Sequence, residues 1–282
     1  MLTVENKEEL RAQLDDWRHH NEHIALVATM GNLHKGHLEL VRVAREHAER
    51  VIVSIYVNPT QFGPDEDLDE YPRTLERDKR LLKNAGADLL FAPGDDTMYP
   101  LGIDKATIVS VPGLTENFCG ASRPGHFDGV TTVVARLFSL LIPDVAVFGQ
   151  KDYQQQLVIR HMTADLSLPV RIVTAPTVRE DDGLAMSSRN SYLDTEERQR
   201  APKLYAALSA IGEALQNGSR EFAELESATV RRLEGDGFAV EYCAIRRAQN
   251  LETPDRDCDE LVVLAAVRLG KARLIDNIVV TV

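Results

Sequence analysis

The chain has 282 residues, more than a typical single domain, and 44% of them are hydrophobic, which is enough for a sizeable core and excludes a disordered protein. Its net charge of −12 argues against broad nucleic-acid binding, although local Lys, Arg and His residues can still bind small anions. Cys119, Cys243 and Cys258 are too few and too far apart for a zinc site or a disulfide framework, and no signal peptide or membrane-length apolar run is evident, so we expect a cytoplasmic protein without a membrane partner.

Short apolar runs alternate with helix-patterned segments over the first two-thirds of the chain. The predicted strands are 24–28, 51–57, 88–92, 107–111, 144–148 and 170–174. The predicted helices are 3–19, 36–49, 73–85, 128–141, 151–165, 195–215 and 221–234, with Asp128 as an N-cap and Gly86 as a C-terminal stop. Runs rich in Val, Ile and Leu are typical of parallel strands covered on both faces, so the alternation predicts a doubly wound sheet.

The pattern changes after about residue 185. Two helical segments are followed by apolar runs at 238–246, 261–269 and 273–280, which predict antiparallel strands. The fold class is therefore α/β, a Rossmann-like doubly wound parallel sheet in residues 1–185 with a smaller C-terminal α+β domain in residues 186–282. The acidic stretch 65–70 predicts a solvated loop.

The most informative stretch is residues 29–37, TMGNLHKGH, between a predicted strand and a predicted helix. A helix start attracts anions through its N–H groups and its dipole. His34 and His37 can donate hydrogen bonds to phosphate oxygens, and Gly36 lets the backbone approach a ligand. The alternative is a surface helix that happens to carry two histidines.

Other predicted strand ends also carry groups suited to phosphate. Ligands of open α/β sheets bind beyond the carboxyl ends of the strands. There the sequence has Asn58 and Gln61, then Lys151 at a helix start, then the hydroxyls and guanidinium of Met-Ser-Ser-Arg at 186–189. The segment 120–127 places Arg123 and His126 between glycines, as a mobile lid would.

Several enzyme classes are excluded by the absence of their motifs. The sequence has no GxxxxGK[ST] phosphate loop, no GxGxxG after a strand and no GxSxG nucleophile elbow. No covalent catalyst stands out, which favours chemistry by positioning and electrostatics.

Seven motifs, in order, resemble those of the pantothenate synthetase (pantoate–β-alanine ligase) family of the HxGH nucleotidyltransferase superfamily. They are TMGNLHKGH, VNPTQF, EDLDEYPRTLERD, GASRPGHFDGV, FGQKDYQQ, DGLAMSSRN and GKARLIDN. The resemblance implies ATP-dependent condensation of (R)-pantoate with β-alanine through a pantoyl adenylate, in which ATP is cleaved to AMP and pyrophosphate with the help of Mg²⁺. It also implies a cytoplasmic homodimer that works toward coenzyme A.

The resemblance also implies roles for single residues. The matched ATP-binding positions are Met30, Gly31, Asn32, Leu33, His34, Lys35, Gly36, His37, Gly149, Gln150, Lys151, Asp152, Val178, Met186, Ser187, Ser188 and Arg189. The catalytic groups among them are His37, matching the proton donor, with His34, Lys151, Ser187, Ser188 and Arg189. Gln61 matches a ligand of both pantoate and β-alanine, Gln155 matches a second pantoate ligand, and Arg123 and His126 match the lid. The C-terminal domain is expected to close over ATP.

Two positions depart from the family pattern. Ala28 stands where the family usually has Pro, and Gln150 replaces a common glutamate, from which we expect little effect. Proline would fix φ and stiffen the pantoate pocket, so we expect Ala28→Pro to lower the pantoate KM by a small factor. An unchanged or raised KM in steady-state assays would contradict this expectation.

Two other interpretations stay open at this stage. Another HxGH nucleotidyltransferase would share the ATP loops but not the pair Gln61 and Gln155. A catalytically silent nucleotide-binding relative would be expected to lose His34, His37 or Lys151, and all three are present.

Overall fold

The computed structural model describes residues 1–64, 66 and 68–282, so Asp65 and Asp67 of the predicted acidic loop lie outside the described residues. Its strands are β1 (Leu2–Val4), β2 (Ile24–Thr29), β3 (Arg50–Ile55), β4 (Leu89–Phe91), β5 (Val145–Gly149), β6 (Arg171–Ala175), β7 (Ala239–Arg247), β8 (Glu260–Leu269) and β9 (Ala272–Thr281). Its helices are α1 (Lys7–His19), α2 (Lys35–Arg45), α3 (Leu75–Ala85), α4 (Asp95–Met98), α5 (Cys119–Ser122), α6 (His126–Leu141), α7 (Tyr153–Asp165), α8 (Thr195–Arg200), α9 (Lys203–Gln216) and α10 (Phe222–Gly235).

Among these elements, six strands form a parallel sheet in the order β1-β4-β3-β2-β5-β6. The strand order reverses at β2, with β3 and β4 on one side and β5 and β6 on the other. A ligand site in such a sheet lies at the reversal, beyond the carboxyl ends of the two central strands. The fold therefore predicts a ligand site at the segment that follows β2.

Both faces of the parallel sheet are covered, as its Val- and Ile-rich strands predict. One core packs side chains of α1 and α6 against the sheet, and Leu10, Leu14 and Phe138 belong to it. The other packs α2 and α3 against the opposite face, with Val41 and Leu82 fully buried.

The C-terminal sheet is antiparallel, in the order β7-β8-β9. Helix α9 packs Leu204, Leu208 and Ile211 into a separate core with the strands. The predicted smaller α+β domain with three antiparallel strands is confirmed.

The chain divides into two compact units. The first unit consists of Met1–Gly149 and Val158–Ala175, and the second of Gln150–Leu157 and Pro176–Val282. The predicted domains 1–185 and 186–282 remain a proposal. Across the described residues, no helix is long and apolar enough to cross a membrane.

The predicted strand at 107–111 is wrong, because this segment is irregular. Thr132 Oγ1 accepts the N–H of Val109 at 2.9 Å and Thr131 Oγ1 donates to the Val109 carbonyl. Side chains of α6 thus satisfy the backbone groups that a neighbouring strand would have paired.

Helix boundaries also differ from the prediction, and three of the differences have a visible cause. The expected helix 195–215 is two helices, α8 and α9, because Pro202 lacks the N–H that would continue the first. Residues 3–4 belong to β1, paired with β4, and α1 begins only after its N-cap Asn6. Gly125, with φ +79°, is the N-cap of α6, so Asp128 lies in its first turn. The predicted stop at Gly86 is confirmed by its φ of +82°.

Candidate active site

The turn after β2 is held in shape by its own backbone. Gly31 has φ +84° and Asn32 has φ +49°, so the chain reverses through left-handed conformations. Thr29 Oγ1 accepts the Gly31 N–H at 3.2 Å and donates to the Ser54 carbonyl on β3 at 2.8 Å. The turn is therefore fixed to the carboxyl end of the sheet.

A buried carboxylate completes this turn. Asp78 on α3 is 0% exposed, and its oxygens accept the N–H groups of Asn32 and Leu33, each at 2.9 Å. Thr74 Oγ1 donates to the same carboxylate at 3.1 Å. Charge-assisted bonds of this kind are the strong ones, so α3 sets the path of the chain into the first histidine.

The two histidines form a reciprocal cap at the start of α2. His34 Nδ1 accepts the Gly36 N–H at 3.1 Å, and His37 Nδ1 accepts the His34 N–H at 3.3 Å. The ring centroids lie 4.1 Å apart. Because each Nδ1 accepts, this hydrogen-bond pattern assigns the proton of each neutral ring to Nε2, which is then the donor nitrogen.

The backbone of this helix start contributes less to anion binding than the sequence predicts. The N–H groups of His34 and Gly36 are engaged in the cap, and those of Asn32 and Leu33 are engaged by Asp78. The Leu33 side chain is fully buried. Four backbone N–H groups of the motif are thus already hydrogen-bonded within the chain.

Gln61 ends a short 3₁₀ turn, Pro59–Gln61, after β3. Its Nε2 donates to the sulfur of Met30 at 3.2 Å, and its Oε1 accepts from Asn58 Nδ2 at 3.2 Å. Asn58 is 1% exposed and also bonds the Gly129 carbonyl and the hydroxyl of Tyr99. The structure thus brings the predicted pantoate ligand next to the HxGH turn and orients it through a buried amide.

Arg123 and His126 meet at the same 3₁₀ turn. His126 Nδ1 lies 2.8 Å from the Gln61 carbonyl, and its Nε2 lies 2.8 Å from Arg123 Nη1. Arg123 also makes a bidentate pair with Glu66, at 2.6 and 2.5 Å. Burial raises the pKa of Glu66, but the hydrogen bonds and the charge of Arg123 outweigh it and hold that pKa below its usual range. The lid role of the two residues stays a prediction.

In the second unit, Lys151 lies in a 3₁₀ turn, Gln150–Asp152, that leads into α7. The side-chain amide of Asn277 on β9 donates to the Gln150 and Lys151 carbonyls, both at 2.9 Å. Tyr153 donates its hydroxyl to the Ala248 carbonyl at 2.8 Å. Gln155 follows in the first turn of α7 and is partly buried.

The other predicted ATP residues of this unit share one loop. The Met186 N–H donates to the Val178 carbonyl at 3.0 Å, and Arg179 forms a β-bridge with Ala185. Ser187 caps the short 3₁₀ helix Ser188–Tyr192 by accepting the Arg189 N–H at 3.3 Å. The structure therefore joins Val178 directly to the Met-Ser-Ser-Arg segment.

Sequence reasoning did not identify the residues that support these groups. Asp78 and Glu66 lie within the quoted motif EDLDEYPRTLERD, and Asp276 and Asn277 lie within GKARLIDN, but none received a role. A signal was present, since a carboxylate in an apolar helix face and a polar pair in an apolar strand both need buried partners.

No group of three or more His, Cys, Asp or Glu side chains among the described residues could hold a metal ion.

Comparison with known proteins agrees with this architecture. The family model of pantoate-beta-alanine ligase matches residues 2–279. The pantothenate synthetase of Thioalkalivibrio sulfidiphilus is 56% identical, with 99% of this chain and 97% of the relative covered, and that of Stutzerimonas stutzeri is 52% identical, with 99% and 98% covered.

Solved structures of the same family also match. The pantothenate synthetase of Thermus thermophilus superposes with a TM-score of 0.92 at 50% identity, covering 99% of both chains. The pantoate-beta-alanine ligase of Francisella tularensis, solved in complex with Beta-gamma ATP and beta-alanine, gives 0.79 at 31% identity, covering 99% of this chain and 97% of that one.

The doubly wound sheet with a double-histidine turn after its central strand has the architecture that the sequence predicts for a phosphate-binding α/β protein. Within that class, the chain belongs to the pantoate–β-alanine ligase family. It is an ATP-binding ligase of pantothenate biosynthesis that joins pantoate to β-alanine.

Proposed function

We propose that the ligase works in two steps through a pantoyl adenylate, with the HxGH histidines as donors to ATP phosphates. The supporting observation is the reciprocal cap of His34 and His37, whose Nδ1 atoms both accept backbone N–H groups. Two rings fixed in this way keep their Nε2–H groups as hydrogen-bond donors without rearrangement during the reaction.

In the first step, a carboxylate oxygen of (R)-pantoate attacks the α-phosphorus of ATP. The bond between that phosphorus and the bridging oxygen to the β-phosphate breaks, and pyrophosphate leaves. Negative charge grows on the α-phosphate and on the leaving group. The groups proposed to stabilise it are His34, His37, Lys151, Ser187, Ser188 and Arg189, with His37 donating a hydrogen bond to phosphate through its Nε2–H group.

The ATP ligands of the proposal are residues 30–37 and 149–152, Val178 and residues 186–189. The loop after β6 suits an adenosine ligand, since the Thr177 Oγ1 and Asn190 Oδ1 atoms that flank it are buried without a hydrogen-bond partner within the described chain. Buried polar atoms of this kind are costly unless a ligand or water satisfies them.

Gln61 and Gln155 are proposed to bind pantoate. Neutral amides can bond the hydroxyls and carboxylate of pantoate without adding charge next to the attacking oxygen. Asn58 supports this role for Gln61, because its Nδ2 donates to the Gln61 Oε1 and thereby sets which end of the Gln61 amide presents its N–H groups.

In the second step, the β-alanine amine attacks the acyl carbon of the adenylate. The bond from that carbon to the phosphate oxygen breaks, AMP leaves, and the nitrogen loses a proton to solvent. Gln61 is also proposed to contact β-alanine. Since the adenylate is sensitive to water, the lid segment with Arg123 and His126 is proposed to exclude it.

Mg²⁺ is proposed to accompany ATP and to neutralise phosphate charge when bound. Since no group of three or more metal-binding side chains is found among the described residues, the ion is proposed to be held chiefly by phosphate oxygens and water. A cytoplasmic homodimer is the remaining part of the proposal, and sedimentation of the purified protein tests its oligomeric state.

The experiment for the mechanism measures AMP, pyrophosphate and pantothenate with ATP, Mg²⁺ and (R)-pantoate, with and without β-alanine. Pantothenate and AMP in equal amounts, only when β-alanine is present, support the two-step reaction. Pyrophosphate release without turnover on β-alanine would instead favour another amine as acceptor. No pyrophosphate with any acid would favour a catalytically silent nucleotide-binding protein.

A further inference from the structure

Two adjacent polar residues are buried in the middle of β9, at a position where the strand is otherwise apolar. Asp276 is 4% exposed and Asn277 is 2% exposed. They pair in register with Ala265 and Leu264 of the buried strand β8. Burying a carboxylate and an amide costs free energy unless both are hydrogen-bonded, so their partners indicate why they are there.

Asn277 is bonded to the turn that carries Lys151. Both N–H groups of its amide are used, one on the Gln150 carbonyl and one on the Lys151 carbonyl, each at 2.9 Å. An asparagine amide has only these two donors. The side chain is therefore committed to fixing the backbone on which the lysine stands.

Asp276 is bonded to the base of the loop that carries Met186 to Arg189. Arg179 makes a bidentate pair with its carboxylate, at 2.7 and 2.9 Å, and also donates to the Gly183 carbonyl at 3.0 Å. The guanidinium carbon lies 3.6 Å from the centroid of the Tyr205 ring on α9. The loop is thus held by charge, hydrogen bonds and stacking at one arginine.

Successive residues of a strand point to opposite faces of its sheet. One residue of the pair therefore reaches the loop on the side of α9, while its neighbour reaches the Lys151 turn on the other side. Apolar residues would satisfy the core at both positions, and buried ion pairs are weak evidence for stability alone. What the pair does specifically is to tie two separate chain segments to one rigid strand.

We propose that Asp276 and Asn277 are positioning residues that hold the two ATP-binding segments of the second unit in a fixed relation, Asn277 through Lys151 and Asp276 through Arg179 and the loop to Arg189. The inference rests on the proposed function, because it assumes that Lys151 and Arg189 act on ATP. Neither residue of the pair touches ATP in this proposal.

The first test is a double-mutant cycle of Asn277→Ala with Lys151→Ala. Asn277→Ala is expected to raise the ATP KM about tenfold, because the turn that carries the Lys151 ammonium group is no longer held in place. The pantoate KM is expected to stay within about twofold. The double variant is expected to be no worse than Lys151→Ala alone, because residues that act through one group are non-additive. Asn277→Leu, of similar volume, repeats the test with the packing kept.

The second cycle combines Asp276→Asn with Arg189→Ala. The expected result has the same form, a raised ATP KM for Asp276→Asn and no further loss in the double variant. Hydrogen exchange of the backbone amides at 150–157 should rise in Asn277→Ala, and that at 178–189 should rise in Asp276→Asn.

The matched control is Val280→Ala, on the same strand and 3% exposed. It should lower the unfolding temperature without changing the ATP KM.

Equal effects of Val280→Ala and Asn277→Ala on the ATP KM, or additive losses in both cycles, would overturn the proposal by showing a structural role only. If Lys151→Ala and Arg189→Ala bind and use ATP normally, the residue assignments of the proposed function fail, and the positioning role fails with them. A normal ATP KM in both β9 variants beside impaired Lys151→Ala and Arg189→Ala overturns the positioning role alone.

Discussion

Asp78 shows how much of the HxGH turn depends on a single side chain. Its carboxylate accepts two consecutive backbone N–H groups and one hydroxyl while fully buried. In Asp78→Asn, one acceptor oxygen becomes an NH₂ group that faces these donors. We expect the free energy of unfolding to fall by about 1–3 kcal/mol. The ATP KM should rise as well, because the turn ahead of His34 loses its anchor.

Urea unfolding and steady-state kinetics of Asp78→Asn check this expectation. Glu76→Gln is the matched control, since Glu76 lies on the same helix with its side chain 78% exposed. A variant as stable and as active as the control would show that Asp78 does not shape the turn.

The pair between Glu66 and Arg123 predicts a specific dependence of stability on pH. The pKa of Glu66 is lower in the folded protein than its usual value of 4.5, despite burial, because Arg123 stabilises the charged form. A lowered pKa contributes stability above the unfolded value, and this contribution is lost as the pH falls through the folded value. The pair should therefore stabilise the protein at neutral pH and stop doing so well below pH 4.5.

Glu66→Gln tests this by urea unfolding between neutral and acid pH. The variant should be less stable than the unmodified protein at neutral pH, and the difference should shrink below pH 4.5. Glu213→Gln, at an exposed position on α9, should show no such convergence. A constant difference at all pH values would mean that Glu66 acts through packing and not through its charge.

At the scale of elements, the contact between α6 and the Gln61 turn depends on a glycine. A Cβ on Gly129 would overlap the Thr60 carbonyl oxygen and lie 2.6 Å from the Gln61 nitrogen, both backbone atoms. Gly129→Ala must therefore push the turn away from the helix. We expect a loss of about 1–3 kcal/mol in stability, as for overpacking of a core, and a higher pantoate KM because Gln61 moves.

Gly94→Ala is the control for this variant, since its Cβ would meet nothing within 4 Å. Thermal unfolding and pantoate titrations of the two variants give the comparison. If Gly129→Ala raised the ATP KM but left the pantoate KM unchanged, the assignment of Gln61 to pantoate would be contradicted.

The elements that could be predicted are those whose signal is local. The Val- and Ile-rich sequence of β3 is sufficient to predict a strand, and Gly86 is sufficient to predict the end of α3. The segment 107–111 has a strand-like composition, yet Thr131 and Thr132 of α6 take its hydrogen bonds, and that competition is tertiary. The same holds for the site: His34 and His37 are recognisable by their spacing, whereas the buried partners of Asp78 and Asn277 exist only in the folded chain.

At the scale of the whole molecule, ligand binding should be visible as stability. A ligand that binds only the native state stabilises it by about 2.7 kcal/mol at one hundred times its Kd. We therefore expect Mg²⁺-ATP to raise the unfolding temperature by several degrees, and GTP to raise it less if Val178 and its neighbours recognise adenine. Lys151→Ala should reduce the effect of ATP, as measured by differential scanning fluorimetry.

The order of additions separates the two proposed steps. Adding (R)-pantoate to the ATP complex should raise the unfolding temperature further, because the adenylate keeps the contacts of both substrates in one molecule and binds more tightly than either. Adding β-alanine should then remove this second rise, since the amine converts the adenylate into products that leave. A rise with pantoate that persists after β-alanine would mean that the acid binds without being activated. If pantoate does not raise the unfolding temperature, the adenylate is not retained on the protein. The two-step mechanism would then have to be replaced by one in which pantoate and β-alanine both bind before ATP is cleaved.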